Sequence, residues 1–247
     1  MRHPWLFLNR MNYLRMFWQS LMRVAALFSG GKDSTYSIYK SRQDGHLVEC
    51  LITIAPRSEE SMLLHYPNIS ATKLQAESMG IAHKYVKSQS DDTSFETDLL
   101  EKTLLEVKKN YNIEGLVQGG ILSKFQKNNF GTVCEKLDLE LIAPVWNQDQ
   151  RKYMHKLLDE NFRFIITGVS SGGLDDSWLG EEVDSSHLER LEQLSEKFGF
   201  NLNFEGGEAE TFVIDSPVFS RPISIIKSRR VWDGYRGRFE IEEAEMG

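Results

Sequence analysis

Five apolar residues, Val24-Ala25-Ala26-Leu27-Phe28, run straight into Ser29-Gly30-Gly31-Lys32-Asp33-Ser34, and a helical pattern follows from Thr35 to Arg42. A buried strand that turns through two glycines into a helix builds an anion site. The glycines let backbone N–H groups converge, and the helix end contributes about half a positive charge. The hydroxyls of Ser29 and Ser34 and the ammonium of Lys32 add donors, so a phosphate is the natural ligand. The plainer reading is a Gly-rich βα turn that binds nothing.

The loop is not a Walker A. That motif needs a Gly five residues before its Gly-Lys pair and a Ser or Thr directly after the Lys. Ala26 and Asp33 occupy those two positions. A carboxylate beside a phosphate repels it unless a cation bridges the two, so Asp33 points to Mg²⁺ as the metal. Ser-Gly-Gly-x-Asp-Ser after a strand resembles the pyrophosphate loop (PP-loop) of the N-type ATP pyrophosphatases, which cleave ATP between the α- and β-phosphates.

Charge narrows the partners. The 247 residues carry 36 acids against 29 Lys and Arg, a net charge of −7. Nucleic-acid binders more often carry a basic stripe, so stable RNA or DNA binding is disfavoured. The two cysteines, Cys50 and Cys134, form no CxxC pair, which fits a reducing cytoplasm and argues against a disulfide scaffold or a Cys-based zinc site. No apolar run approaches the roughly 20 residues of a membrane span. Residues 1 to 21 carry Arg2, Arg10 and Arg15 among Trp and Phe, without an acid. Arg10 and Arg15 interrupt the apolar core that a secretory signal needs. Met22 stands directly before the first strand, so residues 1–21 read as an N-terminal extension and Met22 as the natural start.

The first half alternates strand and helix. Strands are expected at Val24–Phe28, Leu47–Ile54, His83–Val86, Leu116–Gln118 and Leu139–Ala143, with helices at Thr35–Arg42, Ser70–Met79, Thr93–Tyr111 and Lys124–Leu137. Phe95, Leu99, Leu100, Leu104, Val107 and Tyr111 recur at helical spacing in the third of these. The βαβ rhythm implies a doubly wound parallel sheet with helices on both faces. A soft boundary falls at Pro144, which divides a PP-loop ATP-binding domain (22–144) from a C-terminal substrate-binding lobe (145–247). In the lobe, Gln148–Asn161 reads as helix and Phe162–Val169 as strand. A short amphipathic helix through Leu188, Leu191, Leu194 and Phe198 stops at Gly199. β-type runs follow at Thr211–Ile214, Ile223–Val231 and Arg238–Ile241, so the lobe is a smaller mixed α+β unit.

The second long signature is Gly206-Gly207-Glu208-Ala209-Glu210-Thr211. Carboxylates at i and i+2 of an extended segment point to one side, and the preceding glycines permit close approach to a ligand. Glu208 and Glu210 therefore join Asp33 as hard-oxygen candidates; a solvated loop with surface acids is the alternative. Several lone residues carry two readings. His65 contacts substrate or is structural. Trp178 stacks on adenine or is a core aromatic. Asp175 and Asp176 start a turn, Cys134 is core, and Arg229-Arg230 is a solvated strand edge.

Phe204 to Pro217 resembles the matching segment of the diphthine–ammonia ligases (diphthamide synthetases), a branch of the PP-loop superfamily. So do Glu59-Glu60-Ser61-Met62, His65-Tyr66-Pro67-Asn68, Leu74-Gln75-Ala76-Glu77, Leu141-Ile142-Ala143-Pro144-Val145-Trp146 and Gly173-Leu174-Asp175-Asp176-Ser177-Trp178-Leu179-Gly180. Together they span about Met22 to Phe219. The resemblance implies a sheet of the adenine-nucleotide alpha-hydrolase (HUP) type. It implies ATP held by Ser29, Gly30, Gly31, Ser34, Gly119, Trp178, Gly180 and Thr211. It implies substrate contacts at His65, Asn68, Gln126, Gly206 and Gly207, and chemistry at Lys32, Asp33, Glu208 and Glu210. The family activates the diphthine carboxylate of translation elongation factor 2 as an acyl-adenylate, which ammonia converts to the amide. Neither cysteine sits in a nucleophile-like setting and the chain has no room for a glutaminase domain, so free ammonium is the expected nitrogen source; a homodimer stays open. One segment departs from the family. Gly120 stands where Asp or Ala is usual, and Lys127 and Asn129 stand where arginines are expected. That leaves two rivals: a PP-loop ligase for a small carboxylate, and a nucleotide-binding sensor without turnover.

Overall fold

The computed structural model describes residues 21–58, 61, 63, 64 and 68–247. The proposed extension, apart from Leu21, lies outside them, as do Glu59, Glu60, Met62, His65, Tyr66 and Pro67. The first half forms β1 (Arg23–Leu27), α1 (Lys32–Gln43), β2 (Leu47–Ala55), α2 (Thr72–Met79), β3 (Ala82–Lys87), α3 (Thr93–Tyr111), β4 (Gly115–Val117), α4 (Lys124–Lys136) and β5 (Glu140–Ile142). All five strands run parallel in the order β3-β2-β1-β4-β5. This is the doubly wound sheet expected from the rhythm. Central β1 is apolar on both faces because helices cover both faces: Val24, Ala25 and Ala26 have no exposed surface. Chain order reverses between β1 and β4, so the loops after these two strands diverge and leave a crevice at their C-terminal ends.

The second half forms α5 (Gln150–Asp159), β6 (Arg163–Val169), α6 (Ser185–Phe198), β7 (Ala209–Asp215), β8 (Ile223–Trp232) and β9 (Gly237–Met246). Its strands make a separate antiparallel sheet, ordered β7-β6-β9-β8. The expected Arg238–Ile241 run extends to Met246. Its polar second half pairs with β8 as far as Ile223↔Met246, and cross-strand pairing there outweighs the weak local apolar pattern. Asp149 and Asp184 start α5 and α6 by accepting the N–H of Lys152 and His187.

Helix α1 serves both sheets. Ile38 packs with Val24, Ala26 and Leu51 of the parallel sheet. Tyr36 joins the core of the second half, with ring centroids 5.5 Å from Tyr153 and 5.2 Å from Phe162. Ile121 also belongs to that core, so the lobe draws on residues before Pro144.

His83 gives the fold a pH signature. Thr53 Oγ1 lies 2.8 Å from His83 Nε2 and donates to the Phe28 carbonyl at 2.6 Å, so the imidazole must supply the other proton, from Nε2. Burial, with Lys73 nearby, pushes this imidazole down to about 4. The unfolded chain takes up a proton near pH 6.5 and the folded chain only near 4. Stability is therefore undiminished above about 6.5 and falls as pH drops through this window, by at most about 3 kcal/mol from this group. Urea unfolding between pH 7 and 4 is expected to show that fall, and His83→Gln to flatten it; an equal fall in both proteins would contradict the assignment.

Candidate functional site

A cleft of about 740 Å³ opens at the β1/β4 reversal, and its lining comes from both sheets. On one side lies the phosphate loop. Gly30 has φ +82°, and a Cβ there would collide with Gln75 Oε1, so glycine is required. The Gly30 carbonyl accepts from Val213 N at 3.0 Å and from Gln75 Nε2 at 3.0 Å. The same amide nitrogen of Gln75, a residue with no exposed surface, donates to Val213 O at 2.7 Å. Gly31 is the N-cap of α1 and caps it with no side chain. Instead Thr211 Oγ1 accepts Lys32 N at 3.1 Å across 179 residues of sequence. Ser29 and Ser34 complete the loop, with hydroxyls 3.2 Å apart. The helix start thus faces the cleft with its dipole directed at whatever binds there. α1 begins at Lys32, three residues before the helical pattern expected at Thr35.

Lys32 is 2% exposed. Its ammonium donates to Asp33 Oδ2 at 2.9 Å and to the Asn203 carbonyl at 2.6 Å. An ammonium has three N–H donors, so two are committed within the protein and one is left for a ligand in the cleft. Asp33 Oδ1 accepts from Tyr153 Oη at 2.7 Å. Burial, reinforced by the Asp33 charge, holds the Tyr153 phenol well above its usual range, so it stays a donor at neutral pH.

The two glutamates of the GGExET segment part company. Glu210 is inside β7 and lines the cleft beside Gly168. Glu208 precedes the strand and turns back. Its Oε1 accepts Asn201 N and Nδ2 at 2.9 and 2.6 Å, and Oε2 accepts Gly206 N at 2.8 Å. The expectation that both carboxylates share a side fails because strand alternation begins only at Ala209. Glu208 braces the 201–206 loop and does not line the cleft, whereas Gly206 and Gly207 do.

The opposite wall is the loop after β4. A Cβ on Gly119 would lie 2.8 Å from Ser34 N and 2.9 Å from Asp33 C, so this glycine lets the wall touch the start of α1. Gln118 is 1% exposed and lines the cleft. Its Oε1 accepts Gly120 N at 2.9 Å, while its Nε2 has no partner among the described residues. Gln126 lines the cleft and donates to Leu63 O at 3.1 Å. Lys127 and Asn129, which replace the expected arginines, are not in the lining. Lys127 sits 4.0 Å above the Trp146 ring, and Asn129 donates to Phe125 O within α4.

Three expected site residues lie elsewhere. Trp178 is 1% exposed in the core of the second half, flanked by His187 and Arg190, so its ring is not available to stack on adenine. Gly180 has φ +82° and a Cβ there would strike the Phe239 ring at 2.5 Å; its role is packing. Asn68 clasps β9, donating to Phe239 O at 2.8 Å and accepting from Ile241 N at 2.7 Å, rather than facing substrate. His65 lies outside the described residues. Tyr153, Gln75, Gln118 and Glu205, with Asp233 and Arg236 of the β8–β9 turn and Arg238 at the start of β9, were not singled out from sequence. Gln75 falls in the segment Leu74–Glu77 and Glu205 in Phe204–Pro217, but only their long-range partners reveal what they do.

No group of three or more Asp, Glu, His or Cys suited to a metal occurs among the described residues. Asp33 and Glu210 are the carboxylates that line the cleft close to the phosphate loop. Mg²⁺ is commonly held by one or two carboxylates, phosphate oxygens and water, so this donor set fits an Mg²⁺ that enters with a nucleotide.

Comparison with known proteins agrees with both halves. The family model described as "Diphthamide synthase N-terminal domain" matches residues 22–141, and "Diphthamide synthase C-terminal domain" matches 149–246. Among curated relatives, the diphthine--ammonia ligase of Bos taurus is 34% identical over 85% of each chain, and that of Homo sapiens 33% identical over 85% of each. The protein of the same name from Danio rerio is 32% identical over 83% of this chain and 86% of its own.

The contact at Gly119 makes a direct prediction. Gly119→Ala forces the β4 loop off the start of α1, since the obstructing atoms are backbone. The protein is expected to remain folded by circular dichroism while its affinity for an ATP analogue drops about tenfold or more, as befits the loss of more than one hydrogen bond. Unchanged affinity by calorimetry would show that this contact does not shape the nucleotide site.

Proposed function

The chain belongs to the diphthamide synthase family, and from that premise we propose that it is a diphthine–ammonia ligase that uses this cleft to amidate a protein-borne carboxylate at the expense of ATP. The observation that carries the reading is the seam between the phosphate loop and β7: Thr211 caps α1 while Glu210, one residue earlier, lines the same cleft. One strand thus touches both the place where phosphate binds and the place where a second substrate must enter.

In this reading residues 22–144 hold ATP and residues 145–247 present the acceptor, the diphthine residue of translation elongation factor 2. A carboxylate oxygen of diphthine attacks the α-phosphorus, the bond from that phosphorus to the bridging oxygen breaks, and pyrophosphate leaves with the electron pair. Ammonia then adds to the acyl carbon and sheds a proton, and AMP departs. The N–H groups of Gly30, Gly31 and the first turn of α1, with the Ser29 and Ser34 hydroxyls, receive the departing pyrophosphate. Lys32 contributes its third N–H. Tyr153 and Lys32 fix the Asp33 carboxylate, and Asp33 and Glu210 would hold an Mg²⁺ that enters with the nucleotide. The ion, when bound, neutralises charge that builds on the phosphate oxygens. Most of the acceleration would come from donors that are already in place before reaction. Free ammonium is the nitrogen source. The two departures on α4 lie off the cleft and lend the small-carboxylate rival no support.

Purified protein with ATP, ammonium and diphthine-bearing elongation factor is expected to release pyrophosphate and AMP in equal amounts. Asp33→Ala should lower that turnover by about a hundredfold or more while the protein stays folded, the scale on which removal of one charged site group acts. Wild-type AMP formation by the variant, or full activity with glutamine as the only nitrogen source, would refute the respective assignment.

A further inference from the structure

Residues 203–205 cross from one wall of the cleft to the other. At one end the Asn203 carbonyl accepts the Lys32 ammonium of the phosphate-loop side. At the other end a single oxygen of Glu205, Oε1, accepts three successive backbone N–H groups of the β4 loop: Ile121 at 3.1 Å, Leu122 at 2.9 Å and Ser123 at 2.9 Å. Between them Phe204 is held at φ +64°, a conformation that costs a bulky residue free energy and persists only where its surroundings enforce it. The brace from Glu208 to Asn201 and Gly206 closes the loop beneath this crossing.

We propose that Glu205 is a positioning residue for nucleotide binding: from the second half of the chain its carboxylate fixes the β4 loop, and through that loop it places Gln118 and Gly119 against the phosphate loop. The reading of the cleft as an ATP site is its premise. Three successive N–H groups that converge on one point form a nest that favours a negatively charged acceptor, so the loop's conformation depends on a carboxylate being there. The loop so fixed carries Nε2 of Gln118, a buried donor on the cleft wall that has no partner among the described residues and that a bound ligand would satisfy. Glu205 reaches the site from a residue 87 positions away from Gln118 in sequence, which makes the two sheets parts of one binding surface.

The test is a double-mutant cycle on affinity for a non-hydrolysable ATP analogue, measured by calorimetry on the full chain. Glu205→Gln and Gln118→Leu are each expected to weaken binding about tenfold, and the double variant to be hardly weaker than either, because Gln118 contributes only when the loop is set. Glu205→Asp, which keeps the charge on a shorter arm, should bind more tightly than Glu205→Gln. Wild-type affinity in Glu205→Gln, or fully additive losses in the cycle, would overturn the proposal. If Glu205→Gln fails to fold, hydrogen exchange on the wild type decides. The amides of residues 121–123 should already be protected without nucleotide and gain further protection with it; fast exchange in both states would sink the idea. Failure of the wild type itself to bind the analogue would instead refute the ATP site on which the proposal rests.

Discussion

The phosphate loop cannot hold its shape alone. Its Gly30 carbonyl is fixed by Val213 N and by the amide of buried Gln75, and the first N–H of α1 is capped by Thr211. Two of these three partners belong to β7, a strand of the other sheet. A glycine-rich loop gains flexibility at the expense of order, and here the order is returned by a strand about 180 residues later in the chain. The loop therefore takes this shape only when both sheets are folded and joined, and Tyr36 and Ile38, on two faces of α1, supply the apolar contacts that join them.

That seam also buries one charge and half-buries another. Burying an ammonium and a carboxylate is unfavourable unless each finds good partners. Lys32 finds Asp33 and the Asn203 carbonyl, and Asp33 finds Tyr153 as well. The result is a carboxylate held from two directions at the edge of the cleft, with lone pairs left over. Such an arrangement favours a metal ion that brings its own phosphate oxygens over a protein-only metal cage.

Local patterns showed the parts whose causes are local. The parallel alternation, the glycine turn after β1, the helical spacing of α3 and the stop at Gly199 depend on neighbours in sequence. Family resemblance, through several ordered motifs, added the identity of both halves. What stayed hidden depends on distant partners. Glu208 and Glu210 look equivalent by alternation, yet Glu208 stands outside the strand and folds onto Asn201. Trp178 has the chemistry to stack on a base, and hydropathy does not separate such a ring from one that fills a core. Asn68 resembles a substrate contact until β9, more than 170 residues on, provides both of its partners. Tyr153 reaches Asp33 from α5 and Glu205 reaches the β4 loop from the second half of the chain, contacts that no local pattern announces.

In the proposed reaction one cleft, closed by both sheets, directs a carboxylate oxygen to the α-phosphorus of ATP. An acceptor protein whose diphthine carboxylate carries ¹⁸O tests it directly, with mass analysis of the nucleotide and phosphate products after one turnover in ammonium. Attack at the α-phosphorus leaves one labelled oxygen in AMP and none in pyrophosphate. Label in inorganic phosphate, with ADP as the nucleotide product, would place the attack at the γ-phosphorus and contradict it.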